Sequence, residues 1–374
     1  MDKRAPELSL MTVPAAELQE AGLRFTNDTR PGLRRMKKGR DVVYIDSKGR
    51  RVRDADTLGR IKSLVIPPAW TDVWICPQSN GHLQATGRDV RGRKQYRYHP
   101  RWRQVRDETK FHRILAFARA LPKIRRRVKH DLRARGMERN KVLATVVKLL
   151  EATLIRIGND EYAKQNGSYG LTTIRNHHAK VKGSTIQFSF RGKSGKKHDI
   201  DVKDPALARI VRRCQDLPGQ ELFAYETESG IHDVGSAEVN AYIREISGSD
   251  FTAKDFRTWA GTVLAAIALR EFDSFSSRAQ AKKNIVTAIE SVASLLGNTP
   301  AVCRKCYVHP KILDCYLEGT TIETIKQRLD PAIDSGLKHL KAEEAAVVVL
   351  LDKKLHDVKR SKGKRRPKGK PTSN

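Results

Sequence analysis

Between residues 40 and 98, apolar and polar positions alternate with the period of two that half-buried strands require, and short polar turns interrupt the alternation. The stretch VVYIDSKGRRV sets β-forming residues on both sides of Ser47-Lys48-Gly49, which predicts a hairpin turning at the glycine. Residues 57–65 read as a short helix stopped by Pro67-Pro68, and AWTDVWIC then resumes as a strand. A further hairpin, HLQATGRDVRGRKQYRYH, turns at Arg91-Gly92. These pieces predict a small antiparallel sheet domain over residues 1–103.

After Pro100 the period changes. Over residues 139–157, Val142, Leu143, Val146, Val147, Leu150, Leu154 and Ile155 recur at helical spacing, and Gly158-Asn159 supplies a stop. Thr252-x-x-Asp255 reads as a capping box opening a helix through Trp259 to Leu269. Residues 277–296 form another helix, with Ile285, Ile289, Val292 and Leu296 on its buried face and Gly297 at its end. Thr299 as N-cap and Pro300 at the first helical position predict a short helix over 300–308, stopped by Pro310. One β insert interrupts the helices: TIQFSF and HDIDV alternate on either side of RGKSGKK, with Lys193 at the tip of the hairpin. A last helix starts near residue 342. The fold class is α+β: a small antiparallel β-sheet N-terminal domain, a larger and mainly α-helical domain over 104–350 with a β-hairpin insert, and a basic tail over 351–374.

Composition adds a partner. The 374 residues are enough for two or three cores, and 73 Lys plus Arg against 42 Asp plus Glu give a formal charge of +31. Part of the excess is the acid-free run from Lys359 to Lys370, read as a disordered tail with non-specific nucleic-acid affinity. The rest is spread through sequence that looks folded, which points to a polyanion. No segment pairs basic residues with an amphipathic apolar face, so nucleic acid is preferred to a membrane surface. No apolar run approaches the roughly 20 residues of a membrane span, and residues 1–21 carry acidic groups where a signal peptide would be apolar. Five scattered cysteines do not make a disulfide framework and suit a reducing compartment. The expectation is a cytoplasmic, nucleoid-associated protein.

Candidate chemistry concentrates in LLGNTPAVCRKCYVHP. Cys303, Cys306, His309 and Cys315 offer metal-ligand types, but zinc sites usually join two ligand clusters across a longer loop, and here two cysteines fall one turn apart on a predicted helix. Core cysteines are the plainer reading, and no metal or cofactor is expected. The alternative makes Tyr307 the reactive group. A phenol with a reference pKa near 10 needs cations around it and a proton donor for the leaving group. Arg156 among Leu154, Ile155 and Ile157, Arg257 between Phe256 and Trp259, Lys193 on its turn, and Asn298 are the candidates. A lone arginine on a half-apolar helix is more often snorkelling or salt-bridged, so each is weak singly. Their joint order carries the argument.

The order Arg156, Lys193, Lys254-x-x-Arg257, Asn298, Tyr307, with the wording IRIGNDEYAKQNGSYGLTTIRNHH and LGNTPAVCRKCYVHP, resembles the type IB DNA topoisomerases, specifically the small poxvirus-like enzymes found in bacteria. GLRFTNDTRPGLRR, IPPAWTDVWICP and ATGRDVRGRKQYRYHP extend the resemblance over about residues 22–350. It implies attack of Tyr307 on a DNA phosphodiester, giving a 3′-phosphotyrosyl bond and a free 5′-hydroxyl. Arg156 and Arg257 would hold the non-bridging oxygens, and Lys193 would protonate the departing oxygen. Asn298 stands where many members have histidine; it can donate a hydrogen bond but cannot titrate. Two guanidiniums would supply the charge that Mg²⁺ supplies elsewhere, and religation needs no ATP. Gly192-Lys193-Ser194 is no phosphate-binding loop, since the required earlier glycine would fall at Gln187.

The implied partner is double-stranded DNA, held by a monomer that closes as a clamp. In the sheet domain the resemblance points to Gln95, Tyr96 and Tyr98 facing the major groove, flanked by Arg91, Arg93 and Lys94 for phosphates. Those residues also suit an ordinary hairpin with a polar outer face, and the sequence leaves both readings open. Tyr162 and Lys254 are the DNA-contact candidates of the helical domain. Two rivals remain. Tyrosine recombinases share the order of groups but typically have His-x-x-Arg where this chain has Lys254-Asp255-Phe256-Arg257. A zinc-stabilised DNA-binding protein would bind zinc and use Tyr307 only for packing.

Overall fold

A computed structural model describes residues 15–38, 41–272, 275–326 and 339–363. They form two compact units, Met1–Arg113 and Ile114–Asn374.

The first unit contains α1 (Ala15–Glu20), β1 (Leu33–Lys38), β2 (Asp41–Ile45), α2 (Ala55–Ser63), β3 (Thr71–Ile75), β4 (Leu83–Arg88) and β5 (Lys94–Tyr98). The strands make one antiparallel sheet in the order β2-β1-β3-β4-β5. Asp54 caps α2 by accepting from the Thr57 N–H, and Ile61 packs with Leu33, Val73, Ile75 and Ala85 on one face of the sheet. The expected hairpin after β2 is reduced to a bridge between Ile45 and Arg51, with Gly49 at φ +79° in its turn. The true partner of β2 is β1, LRRMKK, which has no strand-like composition. Its neighbours impose the extended form: Arg34 pairs with Ile45 on one side and Trp74 on the other.

Helix α3 (Pro100–Asp131) crosses from the first unit into the second. There follow α4 (Arg139–Thr153), α5 (Asp160–Asn166), the sheet β6 (Ala179–Lys182), β7 (Thr185–Arg191) and β8 (Lys197–Lys203), and α6 (Pro205–Gln215). A hairpin of β9 (Ala224–Thr227) and β10 (Gly230–Asp233) precedes α7 (Ser236–Ser247), α8 (Ala253–Arg270), α9 (Arg278–Leu295), α10 (Pro300–Cys306), α11 (Pro310–Leu317) and α12 (Ile322–Lys326). A C-terminal helix, Ala342–Gly363, runs into the segment read as tail; residues 364–374 lie outside the described ones. One hydrophobic core joins these elements, with α4 at its centre: Val142, Leu143, Val146 and Leu150 are fully buried, each contributing roughly 1.5–3 kcal/mol. Among the described residues no single helix is long and apolar enough to cross a membrane.

The helix expected over 139–157 is shorter than its apolar spacing suggests. It ends at Thr153 because Leu154 turns left-handed, φ +57°, with its N–H still bonded to Leu150 O at 3.1 Å. Arg156 therefore lies beyond the helix. Pro310 likewise does more than stop α10, for it opens α11.

Candidate active site

Beyond α4 the backbone of residues 156–158 is pinned by a second segment. Leu171 donates to Arg156 O at 2.9 Å and Thr172 to Ile157 O at 2.7 Å. The closeness needs glycine: a Cβ on Gly170 would stand 2.5 Å from Arg156 O and 2.6 Å from Gly158 N. With its main chain fixed in this way, Arg156 sends its guanidinium to Gly297 O at 3.3 Å and to Oδ1 of Asn298.

Arg257 comes from the second turn of α8, whose start is set by the capping box: Asp255 accepts from the Thr252 N–H at 2.7 Å. Only 4 % exposed, it donates to Leu154 O and, at 2.7 Å, to Leu296 O. Burial lowers its pKa from the ordinary value and Arg156 adds to this, while the phenol of Tyr307 opposes the shift.

Tyr307 is the C-cap of α10, with its ring centre 5.2 Å from the Arg257 guanidinium carbon. Thr299 caps that helix by accepting from the Val302 N–H, as the sequence predicts. The Tyr307 carbonyl accepts from Oγ1 of Thr262 at 3.3 Å, and the same Oγ1 accepts from the His309 N–H at 3.1 Å. Gly261 lets the tyrosine sit against α8, since a Cβ there would meet Tyr307 O at 2.7 Å. Asn298 is held by its own N–H on Ala293 O at 2.8 Å, following Gly297 at φ +61°. Its Nδ2, like Nε of Arg257, is buried without a hydrogen-bond partner among the described residues.

The acceptors named for the two arginines are carbonyl and amide oxygens, and Arg257 also bonds the phenol of Tyr307. Elsewhere in this unit a half-buried arginine finds acids: Arg125 bonds Glu151 and, with both terminal nitrogens, Glu344. Two uncompensated guanidiniums with two orphaned donors beside a phenol make a receptor for an oxyanion.

The structure thus brings four predicted residues together: Arg156, Arg257, Asn298 and Tyr307. Lys193 lies exposed in the turn between β7 and β8, as expected, and among the described residues no hydrogen bond joins it to the four. Lys254 and Tyr162 are exposed on α8 and α5, the tyrosine at 51 %. In the first unit, strand alternation divides the groove candidates. Tyr96 pairs with Thr86 and stacks on Tyr98, centroids 6.0 Å apart, with Lys94 Nζ 5.8 Å from the Tyr96 ring. Gln95 pairs with Gly87 on the opposite face and donates to Asp89 at 2.9 Å. Arg93 is held by the same Asp89 at 2.7 Å, and Arg91 is exposed at the turn.

Two of the three cysteines between residues 303 and 315 are packed in the core, and Cys306 is half-buried. Cys303 and Cys315 lie in the core, and burial pushes the Cys303 thiol up to about 11. His309 uses Nδ1 to accept the Lys311 N–H at 3.1 Å. Among the described residues no His, Cys, Asp and Glu side chains gather as a ligand set.

Sequence reading missed His198. It stands on β8 opposite Phe190, stacked at 5.1 Å, and its ring edge faces both Gly192 and Gly297. Burial first, then the charge of Arg156, lowers its pKa. A single histidine in an alternating strand carries no signal that would have singled it out.

The family model for the eukaryotic DNA topoisomerase I catalytic core matches residues 99–334, a span that holds all five predicted catalytic residues. The chain belongs to the type IB DNA topoisomerases. A second model, the bacterial DNA topoisomerase IB N-terminal domain, matches residues 42–89. The DNA topoisomerase 1B of Acanthamoeba polyphaga mimivirus is 32 % identical over 319 residues, covering 83 % of this chain and 95 % of that protein. The DNA topoisomerase 1B of Vaccinia virus is 22 % identical over 289 residues, 75 % of this chain and 89 % of its own. Within this type IB chain, Gln95, Tyr96 and Tyr98 fall between the two family matches.

Proposed function

We propose that this type IB topoisomerase relaxes supercoiled duplex DNA by cutting and resealing one strand. Oη of Tyr307 attacks the phosphorus as its proton passes to solvent water; the P–O5′ bond breaks, and the electron pair leaves on the 5′ oxygen, which takes a proton from Lys193. The product is a 3′-phosphotyrosyl ester and a 5′-hydroxyl. Resealing runs the same steps in reverse, and because the ester keeps the bond energy, ATP is not consumed. Charge grows on the non-bridging oxygens in the transition state, and phosphoryl transfer is mostly positioning and stabilisation of that charge. Arg156, Arg257 and the orphaned Nδ2 of Asn298 supply it here.

The observation that carries the reading is the neutral partnering of Arg156 and Arg257 beside Tyr307. Among the described residues no carboxylate bonds either guanidinium. One copy of the chain acts on the duplex in the cytoplasm, with both units gripping it as a clamp. Tyr96, Tyr98 and Gln95 would read the groove while Arg91, Arg93, Lys94, Tyr162 and Lys254 hold the backbone. The test is incubation with supercoiled plasmid in EDTA without ATP. Wild type relaxes it and leaves protein joined to nicked DNA after a denaturant quench, whereas Tyr307→Phe does neither. Relaxation by the Phe variant, or none by the wild type, overturns the proposal.

A further inference from the structure

The imidazole of His198 is wedged between two glycines, each next to a residue of the proposed chemistry. A Cβ on Gly192, the residue before Lys193, would stand 2.7 Å from both Cδ2 and Nε2 of the ring. One on Gly297, the residue before Asn298, would stand 2.9 Å from Cε1, with Arg156 Nη1 only 3.9 Å from the same point. The ring's face is held on Phe190, which is 4 % exposed and part of the core. The imidazole therefore fills the space between the turn that carries Lys193 and the loop that carries Asn298. Little else stiffens that turn. Ser194 and Gly195 are both left-handed, at φ +64° and +75°, and the turn closes on Gly192 N–H to Lys196 O and Gly195 N–H to Gly192 O.

We infer that His198 is a positioning residue: it sets the distance of the Lys193 turn from the Arg156 and Asn298 pair, and through it the delivery of the proton to the leaving oxygen. The inference rests on Lys193 being the acid of the proposed function. Loss of the ring frees the turn to collapse into the vacated space. Misplacement of a catalytic group by about 1 Å can cost on the order of 10²-fold in rate. Arg156 and Arg257 keep their anchors on Asn298, Gly297, Leu154 and Leu296.

The leaving group separates these contributions. A 5′ alcohol leaves only if protonated, whereas a thiol, with a reference pKa of about 8.5, leaves as thiolate without help. The experiment compares single-turnover cleavage of a duplex bearing the natural P–O5′ linkage with one bearing P–S5′ at the scissile position, mapped beforehand from wild-type adducts. His198→Ala is expected to be at least tenfold slow on the oxygen duplex and restored to near the wild-type rate on the sulfur duplex. Lys193→Ala should behave alike, and Arg156→Ala should stay slow on both. Gly192→Ala, whose new methyl would displace the ring at 2.7 Å while leaving the imidazole in the chain, should reproduce the same pattern and serves if His198→Ala does not fold. Equal slowing on both duplexes, or no slowing on either, overturns the inference for His198. If sulfur fails to rescue Lys193→Ala, the acid assignment falls instead.

Discussion

The guanidinium of Arg257 stacks over the Tyr307 ring at 5.2 Å while its hydrogen bonds run to the carbonyls of Leu154 and Leu296. One side chain thus ties together the end of α4, the end of α9 and the Tyr307 phenol. A lysine could keep the charge but not the planar fork that reaches two carbonyls. Arg257→Lys is expected to fold and to cleave on the order of 10³-fold more slowly, the scale of losing an arginine in phosphoryl transfer. Adduct formation in a single turnover measures it, and a rate within about tenfold of wild type would show that charge alone suffices.

Asn298 holds Arg156 with its oxygen and keeps its amide nitrogen buried and unpartnered. Asn298→Ala removes the donor and should slow cleavage by about 10²-fold or more, as for loss of one preorganised oxyanion donor. Asn298→His restores a donor and is expected to keep substantial activity. Asn298→Asp is the sharper test, because a carboxylate in that place would pair with Arg156 and repel a phosphate. It should be worse than alanine in cleavage assays; equal rates would mean that the group does not face the phosphate.

Much of this site was legible because its signals are local. Thr299-Pro300 fixes where α10 begins, Thr252 and Asp255 fix where α8 begins, and Gly297 ends α9, so the positions of Tyr307, Arg257 and Asn298 follow from caps and stops. What escaped depends on tertiary contacts. Leu154 ends α4 early because the chain must bring 156–158 against Gly170, and no residue at 154 announces a left-handed turn. Strand β1 is extended because β2 and β3 flank it, although four of its six residues are basic. Gln95 reads as a neighbour of Tyr96, yet alternation puts it across the sheet. The placement of His198 appears only when the chain folds back so that Gly192 and Gly297 meet one ring.

Gly261 predicts a positional defect without loss of any functional group. A methyl there would press on Tyr307 O at 2.7 Å and on its Cβ at 3.0 Å. The contacts are with backbone and its first side-chain atom, which cannot swing aside, so the tyrosine has to move. Gly261→Ala is expected to slow cleavage and religation together, by up to about 10²-fold for a shift near 1 Å, while plasmid binding stays unchanged. Normal rates in both directions would show that the α10 segment adapts freely.

Glu344 predicts a stability effect. It is 6 % exposed, accepts both terminal nitrogens of Arg125 at 2.7 and 2.8 Å, and takes a bond from Trp259 Nε1 at 3.4 Å. Burial works to raise its pKa, but the hydrogen bonds and charge of Arg125 outweigh burial and hold it below the usual carboxylate value. Glu344→Ala leaves Arg125 with Glu151 as its acid and should lower stability by about 1–3 kcal/mol in denaturant titrations. The pair Arg125→Met with Glu344→Leu should recover most of that loss, since Glu151 then still has Lys148 Nζ at 3.9 Å as its cation. Failure of the double variant to recover it would assign the cost to lost packing.

His178 sets a pH dependence with a definite sign. Its Nδ1 accepts the Arg175 N–H at 3.1 Å, a bond that requires the neutral ring. Burial first, then the charges of His177 and Arg175, push its pKa from 6.5 down to about 4. Between those values the unfolded chain binds a proton that the folded one refuses, so this residue makes stability fall as pH drops from 6.5 toward 4, with no further change below. His178→Asn can keep an acceptor for the Arg175 N–H and cannot titrate, so its melting temperature should decline less than that of the wild type across the same window. Groups shared by both chains cancel in the comparison. Parallel curves between pH 6.5 and 4 would show that the folded protein protonates this ring as readily as the unfolded chain does.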